Sequence, residues 1–277
     1  MKNIIDAVKI LVTQNRTALP NSHSGRNRIN AAGYSLEEYV KNLFADGFDL
    51  TPAEQLERWS ETFSYLGNDA NPPDMMLKNG DAVEVKKIES QDAALALNSS
   101  YPKQILCSDN PMISNACRTA ENWTAKDIIY VVGVVSGGNL KNLCMVYGRN
   151  YCASEECYNR IRQRIKDGVE AVEGVNFSPT RELGRINRVD PLGVTYLRVR
   201  GMWHIENPWK VFSYVYRRNL SANFNFMSII DDEKWAQFDN REILRGLSPN
   251  LKITDVRIKN PDNPAQLIGA KLIHYEI

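Results

Sequence analysis

The order Asp74, nine intervening residues, then Glu84-Val85-Lys86 places two carboxylates and an ammonium as metal-assisted phosphodiester cleavage requires. Two hard carboxylates with coordination positions to spare suit Mg²⁺, which keeps several waters and takes one or two protein carboxylates beside the phosphate. Such an ion neutralises charge on the non-bridging phosphate oxygens, acidifies water and helps align attack with the leaving oxygen. Lys86, two residues past Glu84, is expected to orient that water and favour its hydroxide form. A solvated strand face carrying the same three residues is the plain alternative.

The neighbouring residues indicate how these groups are held. Lys78-Asn79-Gly80-Asp81 contains an Asn-Gly pair, a strong hairpin signal, and Ala82 to Ile88 reads as the strand that follows. Period-two geometry puts Glu84 and Lys86 on one face and Val83 and Val85 on the other, toward a core. A two-residue hairpin at Asn79-Gly80 would set Met75 opposite Glu84 and turn Asp74 away. A bulge or bend near Pro72-Pro73 is therefore expected to swing Asp74 back. Upstream, Leu36, Val40, Leu43 and Phe44 recur at helical spacing, with Glu37 at the margin of that apolar stripe. From there Glu37 could reach the same site, directly or through water; a solvated helix charge is the other reading.

Longer stretches resemble a known family. Phe63-Ser64-Tyr65-Leu66-Gly67-Asn68, Asn71-Pro72-Pro73-Asp74, Glu84 to Ser90, and Leu97-Asn98-Ser99-Ser100-Tyr101-Pro102-Lys103 closely resemble the NgoPII family of type II restriction endonucleases. Gly184 to Pro191, Tyr196 to Trp203 and Ile205 to Trp209 resemble it too. The resemblance implies an α/β, restriction-endonuclease-like core with a mixed β-sheet flanked by helices and an inserted or C-terminal DNA-recognition region. It implies Mg²⁺-dependent cleavage of double-stranded DNA at the palindrome GGCC by a homodimer, giving 5′-phosphate and 3′-hydroxyl ends. A cognate DNA methyltransferase would protect the host genome. Asp74, Glu84 and Val85 fall in the metal-holding set, Lys86 at the lysine, and Glu37 at a helical glutamate that many members carry. A repair or junction nuclease built on the same catalytic face, and a non-catalytic DNA-binding regulator, are the rival functions.

A net charge of only +1 looks poor for gripping a polyanion, yet eight basic and three acidic residues lie between Arg181 and Arg218. Such a stripe favours salt-sensitive binding at one surface. Within it, Thr195 to Met202 alternates, so that Tyr196, Arg198, Arg200 and Met202 share a face while Leu197 and Val199 take the other. Two arginines on a strand can each present a fork to O6 and N7 of guanine. An arginine ladder paired with acids, or bound to phosphates, is the competing reading. Arg185, Asn187 and Arg188 are the next DNA-binding candidates. Asn98, Ser99, Ser100 and Lys103 suit phosphate or groove contact, or else an Asn-Ser turn closing a helix.

The 277 residues, 43% hydrophobic, suffice for a large core. We expect one domain over 1–277, with a catalytic core at about 30–150 and the recognition region at about 180–220. Helices are expected over much of 3–14, 35–46, 52–63, 110–123 and 154–173, with Val211 to Asn219 helical as well. Strands are expected near 74–77, 82–88, 127–135 and 143–148, and over 224–230 and 270–275. No apolar run approaches membrane-spanning length, and the first residues read as a packed helix rather than a signal peptide. Five cysteines without Cys-x-x-Cys or zinc spacing fit reduced, buried thiols in a prokaryotic cytoplasm. No Gly-x-x-x-x-Gly-Lys loop argues for NTP use. His204 lacks a partner signature, and His23 and His274 support no constellation. Trp203, Trp209, Phe212, Tyr214 and Tyr216 read as core or dimer interface.

Overall fold

The computed structural model describes residues 1–20, 28–68, 71–90, 92–97 and 100–277, with backbone alone at 28–32. Helix α1 (Ile4–Gln14) starts where the Asn3 side chain accepts the Ile5 and Asp6 N–H groups and the Asp6 carboxylate takes the Asn3 N–H. Helix α2 spans Arg28–Ala45, and α3 (Pro52–Thr62) opens with the same reciprocal cap between Thr51 and Glu54. The strands β1 (Phe63–Asn68), β2 (Asn71–Leu77) and β3 (Ala82–Ile88) follow, then the short β4 (Leu95–Ala96) and β5 (Ile105–Cys107). Next come α4 (Asn115–Thr119), β6 (Ala125–Ser136), β7 (Asn139–Tyr147), α5 (Gly148–Tyr151) and α6 (Glu155–Glu170). The basic stretch holds β8 (Asn176–Phe177), β9 (Gly184–Asn187), β10 (Leu197–Val199) and β11 (His204–Ile205). Helix α7 (Pro208–Val211), β12 (Asn225–Asp231), α8 (Asp232–Ala236), β13 (Leu251–Lys259) and β14 (Leu267–Glu276) complete the chain.

One large mixed sheet runs β1-β2-β3-β6-β7-β12-β14-β13, with β5 also on β6. The pairs β3/β6 and β7/β12 are parallel; the remaining neighbours are antiparallel. Helices α1 and α2 cover one face, where Val8, Leu36, Val40 and Phe44 pack on Val83, Val85, Val131 and Met145. Gly133 on β6 lets α2 come close: a Cβ there would lie 2.8 Å from Leu36 Cδ2. The other face carries Met76, Ala82, Tyr130, Val132 and Val146. Among the described residues no helix is long and apolar enough to cross a membrane.

The β2–β3 connection decides which face Asp74 takes. Met75 pairs with Val83 and Met76 with Ala82, so the loop is three residues long, Lys78 to Gly80, and closes with Leu77 N–H donating to Asp81 O. Continuing that register by one step sets Asp74 beside Glu84. The one-residue offset from a two-residue hairpin comes from the loop itself, with Asn79 at φ 55, and the expected bend at Pro72-Pro73 is not what turns Asp74. Burying Val83 and Val85 each contributes about 1.5–3 kcal/mol, which opposes a slip that would bring them out.

Tertiary partners hold that loop on several sides. The Glu121 carboxylate accepts the Asn79 N–H at 2.9 Å, and buried Lys126 donates to Gly80 O at 2.5 Å while pairing with Glu121. Asp81, the first residue after the loop, takes Lys234 Nζ at 2.7 Å and the Tyr147 hydroxyl at 2.7 Å. Lys234 Nζ also reaches Asp127 at 2.8 Å. Burial works to lower the Lys234 pKa, and the Asp81 and Asp127 carboxylates outweigh it, leaving the ammonium harder to deprotonate than usual.

Other expectations are corrected. Helix 110–123 shrinks to α4, because Arg118 turns back to the Ser108 and Asn110 carbonyls. The 211–219 helix stops at Val211: Trp209 and Phe212 are buried by packing against the sheet, and turns follow. The strands β1 and β13 were not expected. Cys117, Cys144 and Cys152 are buried, but Cys157 is exposed because it lies on α6, none of whose residues is buried.

Replacing Lys234 with Met should destabilise the protein by about 3 kcal/mol, since Asp81 and Asp127 would stay in place without their cation. Urea unfolding measures this, and adding Asp81→Asn should return part of the loss; an unchanged midpoint for Lys234→Met would dissociate this pair from the hairpin's stability.

Candidate active site

Asp74, Glu84 and Lys86 meet on one wall of a pocket of about 570 Å³ that Asn68, Ser100, Tyr101, Lys103, Tyr130, Arg181 and Arg200 also line. Glu84 and Lys86 project from the rigid centre of the sheet, where β3 pairs residue by residue with β6, Glu84 against Tyr130 and Lys86 against Val132. Lys86 Nζ donates to Glu84 Oε1 at 2.6 Å. Asp74 Oδ2 accepts the Val85 N–H at 2.6 Å, which ties β2 to β3 at the site. Val85 thus borders the site through its main chain while its side chain stays in the core.

The charges are strongly coupled. Burial, then the Glu84 and Glu37 carboxylates, push the Asp74 carboxyl up to about 8, against the opposing pull of Lys86 and the Val85 N–H. For Lys86, burial disfavours the ammonium, but Glu84, Asp74 and Glu37 together raise its pKa above the ordinary lysine value. Glu37, half-buried on α2, therefore acts on the site through its field although its helix packs on the sheet's other face.

The donor set fits a divalent cation. Glu84 Oε2 is buried with no hydrogen-bond partner among the described residues, beside the acid that most resists ionisation. Lys86 satisfies the other oxygen of this carboxylate, so Oε2 is left as an open acceptor position. Among the described residues no cluster of three or more His, Cys, Asp or Glu is placed to hold a metal. A pair of carboxylates with water and phosphate completing the shell is the usual arrangement for Mg²⁺.

Lys103 is the second buried ammonium of the pocket. It contacts the Ser100 hydroxyl and the Tyr101 carbonyl, and lies 5.0 Å from the centre of the Tyr101 ring. Burial pulls its pKa down to about 8. Its backbone N–H donates to the Tyr130 hydroxyl at 2.7 Å, a support that sequence reasoning missed because Tyr130 reads as one more apolar residue of β6. Among the described residues no helix lies between β3 and Ser100, and the Ser100 N–H donates to Leu97 O at 3.2 Å. Asn98 and Ser99 lie outside the described residues, as does His23.

The basic segment forms a separate three-stranded sheet, β10-β9-β8, whose base adjoins the pocket through Arg181, Glu182 and Arg200. Arg198 grips Glu182 with two bonds, at 2.9 and 2.6 Å, and Arg200 Nε reaches the same carboxylate at 2.8 Å. An arginine ladder paired with an acid is the competing reading for this strand, and Glu182 is the acid that both arginines hold. These contacts, Arg198's first, hold its carboxyl below the usual range. The strand is shorter than expected, and Leu197 is half-exposed rather than in a core, whereas Val199 on the same face sits beside Gly184, over which Val169 of α6 packs. Arg185 stacks on Tyr196 at 5.0 Å, Asn187 ends β9 opposite Asn176, and Arg188 follows at φ 52. Trp203 meets Tyr101 and Tyr158 edge-on, and its carbonyl takes the Leu97 N–H at 2.8 Å. His204 takes part in the β11–β4 pairing, and His274 rests on the Tyr216 ring.

Comparison with known proteins gives the same direction as this geometry. The family model described as "NgoPII restriction endonuclease" matches residues 2–259. The chain is also similar to a Neisseria gonorrhoeae protein named "Type II restriction enzyme NgoPII", with 55% identity over 278 residues, 99% of this chain and 100% of the relative. No solved structure matches significantly. A match of this length, at this identity, means that the chain belongs to the NgoPII restriction endonuclease family.

Proposed function

We propose that this type II restriction enzyme cleaves double-stranded DNA at the palindrome GGCC with Mg²⁺, using Asp74, Glu84 and Lys86 on a restriction-endonuclease-like core. The observation that carries the reading is the convergence of the two acids and the lysine at one pocket, with Glu84 Oε2 buried and unpartnered. Asp74, Glu84 and the Val85 main chain would hold the ion, with Glu37 adding negative charge from α2. When bound, Mg²⁺ supplies positive charge to the phosphate and lowers the pKa of nearby water.

The chain's own groups do the rest. Lys86, held on β3 by Glu84, orients the attacking water and favours hydroxide. Lys103 and Ser100 face the phosphate from the same pocket and offset its charge. In-line attack then expels the 3′-oxygen, leaving a 5′-phosphate and a 3′-hydroxyl. Bringing DNA into so acidic a pocket is unfavourable unless cations balance it, and the two lysines supply part of that balance.

The recognition region, near 180–220, presents Arg185, Asn187, Arg188, Arg198 and Arg200 beside the pocket. Glu182 keeps Arg198 and Arg200 in defined orientations before DNA arrives, and guanine edges compete for their outer N–H groups. A palindrome presents the same half-site twice, so two copies related by a two-fold axis would each cut one strand. The chain is read as one domain acting in the prokaryotic cytoplasm, alongside a methyltransferase that need not bind it.

Linear plasmid incubated with Mg²⁺ should give discrete bands whose sequenced ends fall within GGCC and carry 5′-phosphates, and EDTA should abolish them. Structure-selective nicking would instead identify a repair nuclease, and no cutting a DNA-binding regulator. Lys86→Ala should lower single-turnover cleavage by roughly 10²-fold or more while gel-shift binding of the cognate duplex in Ca²⁺ persists. Cutting at the wild-type rate would remove Lys86 from the chemistry. Glu182→Gln should loosen both arginines and cut discrimination against a guanine-substituted site by roughly tenfold. Equal discrimination in variant and wild type would make the pairing a surface feature without a part in readout.

A further inference from the structure

The loop joining β9 to β10 is built to expose apolar side chains. Leu192 is 85% exposed, Val194 75% and Val189 55%. Single exposed hydrophobics are ordinary, but three within six residues at a hairpin tip are not, and such patches mark contact surfaces. The backbone beneath them is stapled. Asp190 Oδ1 accepts the Leu192 N–H at 3.0 Å and the Val194 N–H at 3.5 Å, and Oδ2 the Thr195 N–H at 2.6 Å. These bonds, the Thr195 contact first, hold the Asp190 carboxyl below its usual range. Val189 N–H donates to Thr195 O at 3.1 Å below the tip. Gly193, at φ 68, has no Cβ to strike the Arg188 side chain, whose Cγ would be 3.3 Å away. The tip is therefore held in shape before anything binds, which spares most of the ordering cost of docking.

The surroundings choose the occupant. Arg185, Arg188, Arg198 and Arg200 frame the hairpin, whereas Glu182 is occupied by two arginines and Asp190 by its own loop. A second copy docking across a two-fold axis would bring this basic surface against itself. A polyanion would meet complementary charge.

We propose that the β9–β10 hairpin is a DNA wedge, with Leu192 entering between adjacent base pairs while Arg185 and Arg188 engage the flanking phosphates. Apolar side chains inserted in this way unstack a step, and proteins that use them kink the duplex by about 20–90°. From Arg200 at the pocket to Val194 near the tip is at most ~20 Å of extended chain, six residues at about 3.3 Å each. That reach is long enough to let the wedge meet base pairs outside a four-pair site. It takes from the proposed function only its ligand, duplex DNA.

Unwinding of closed circular plasmid tests the idea wherever on the DNA the protein sits. Relaxed plasmid is treated with a metal-independent topoisomerase and the full-length protein in Ca²⁺, and the topoisomers are resolved after the protein is removed. Wild type should shift the linking number in proportion to protein bound. Leu192→Ala and Leu192→Gln should lose several-fold of that shift per bound protein, and Leu192→Met should regain it; Leu192 is exposed enough that none of these should affect folding. An unchanged shift in Leu192→Ala, or plasmid bound by wild type without unwinding, overturns the wedge. So does a change in sedimentation of Leu192→Gln without DNA, which would assign the tip to a second copy. Discrete cutting in Mg²⁺ without unwinding removes the wedge alone, and unwinding without cutting removes the nuclease reading alone.

Discussion

Asp74 shares a face with Glu84 only because the β2–β3 loop is three residues long. Side-chain direction alternates along a strand, so a loop shorter by one residue would point the first acid into the layer of α1 and α2. Nothing local makes the longer loop compulsory, since Asn79-Gly80 suits either length. The choice is made by groups distant in the chain: Glu121 and Lys126 on the loop, Lys234 and Tyr147 on Asp81. Valine packing on one face and ionic anchoring at the loop act together, and the site follows from both.

The site itself is held in tension by charge. Three carboxylates, from β2, β3 and α2, bear on one pocket, and burial first, then the field of Glu84 and Glu37, keeps a proton on Asp74 well above the ordinary carboxylate range. The same field keeps Lys86 charged. Lys103, with no acid bonded to it among the contacts described, loses charge more readily than a solvated lysine because burial dominates. One pocket therefore contains an ammonium stabilised by its neighbours and another destabilised by its burial. A cation and a phosphate would each relieve part of this imbalance, which is how a site becomes selective for the pair.

Much of the catalytic wall is readable from residue order because its determinants are local. Alternating Val83, Glu84, Val85 and Lys86 announces a half-buried strand with its charges on one face, and Leu36 to Phe44 announces the helix behind it. The loop register is not readable, because it rests on side chains forty and more residues away. Helix 211–219 was expected but is replaced by turns after α7, because Trp209 and Phe212 are buried against the sheet without further helical backbone. Strand β13 escaped because it is an edge strand, exposed over most of its length with only Ile258 fully buried, where charged residues such as Lys252, Asp255 and Arg257 blur the alternation. That acids pair with the arginine ladder is one of the two readings of the stripe, but which acid does so is not readable, because counting charge names the acids present and not their partners.

Catalysis and recognition are joined by short covalent and packing paths. The segment carrying Ser100 and Lys103 is stitched to the end of the basic region by the β4–β11 pairing and by the Leu97 to Trp203 hydrogen bond. Tyr101, whose ring lies beside the Lys103 ammonium, also stacks on Tyr158 of α6 and meets Trp203 edge-on. Any DNA that shifts the β8–β10 sheet or α6 therefore bears on the position of Lys103, while Lys86 stays fixed at the centre of the large sheet. The two lysines differ in what holds them as well as in charge: one belongs to the large sheet, the other to a segment joined to the basic region. Under the proposed function, that division would let the scissile phosphate be met by one ammonium already in place and by a second whose position depends on how the surrounding sequence is seated.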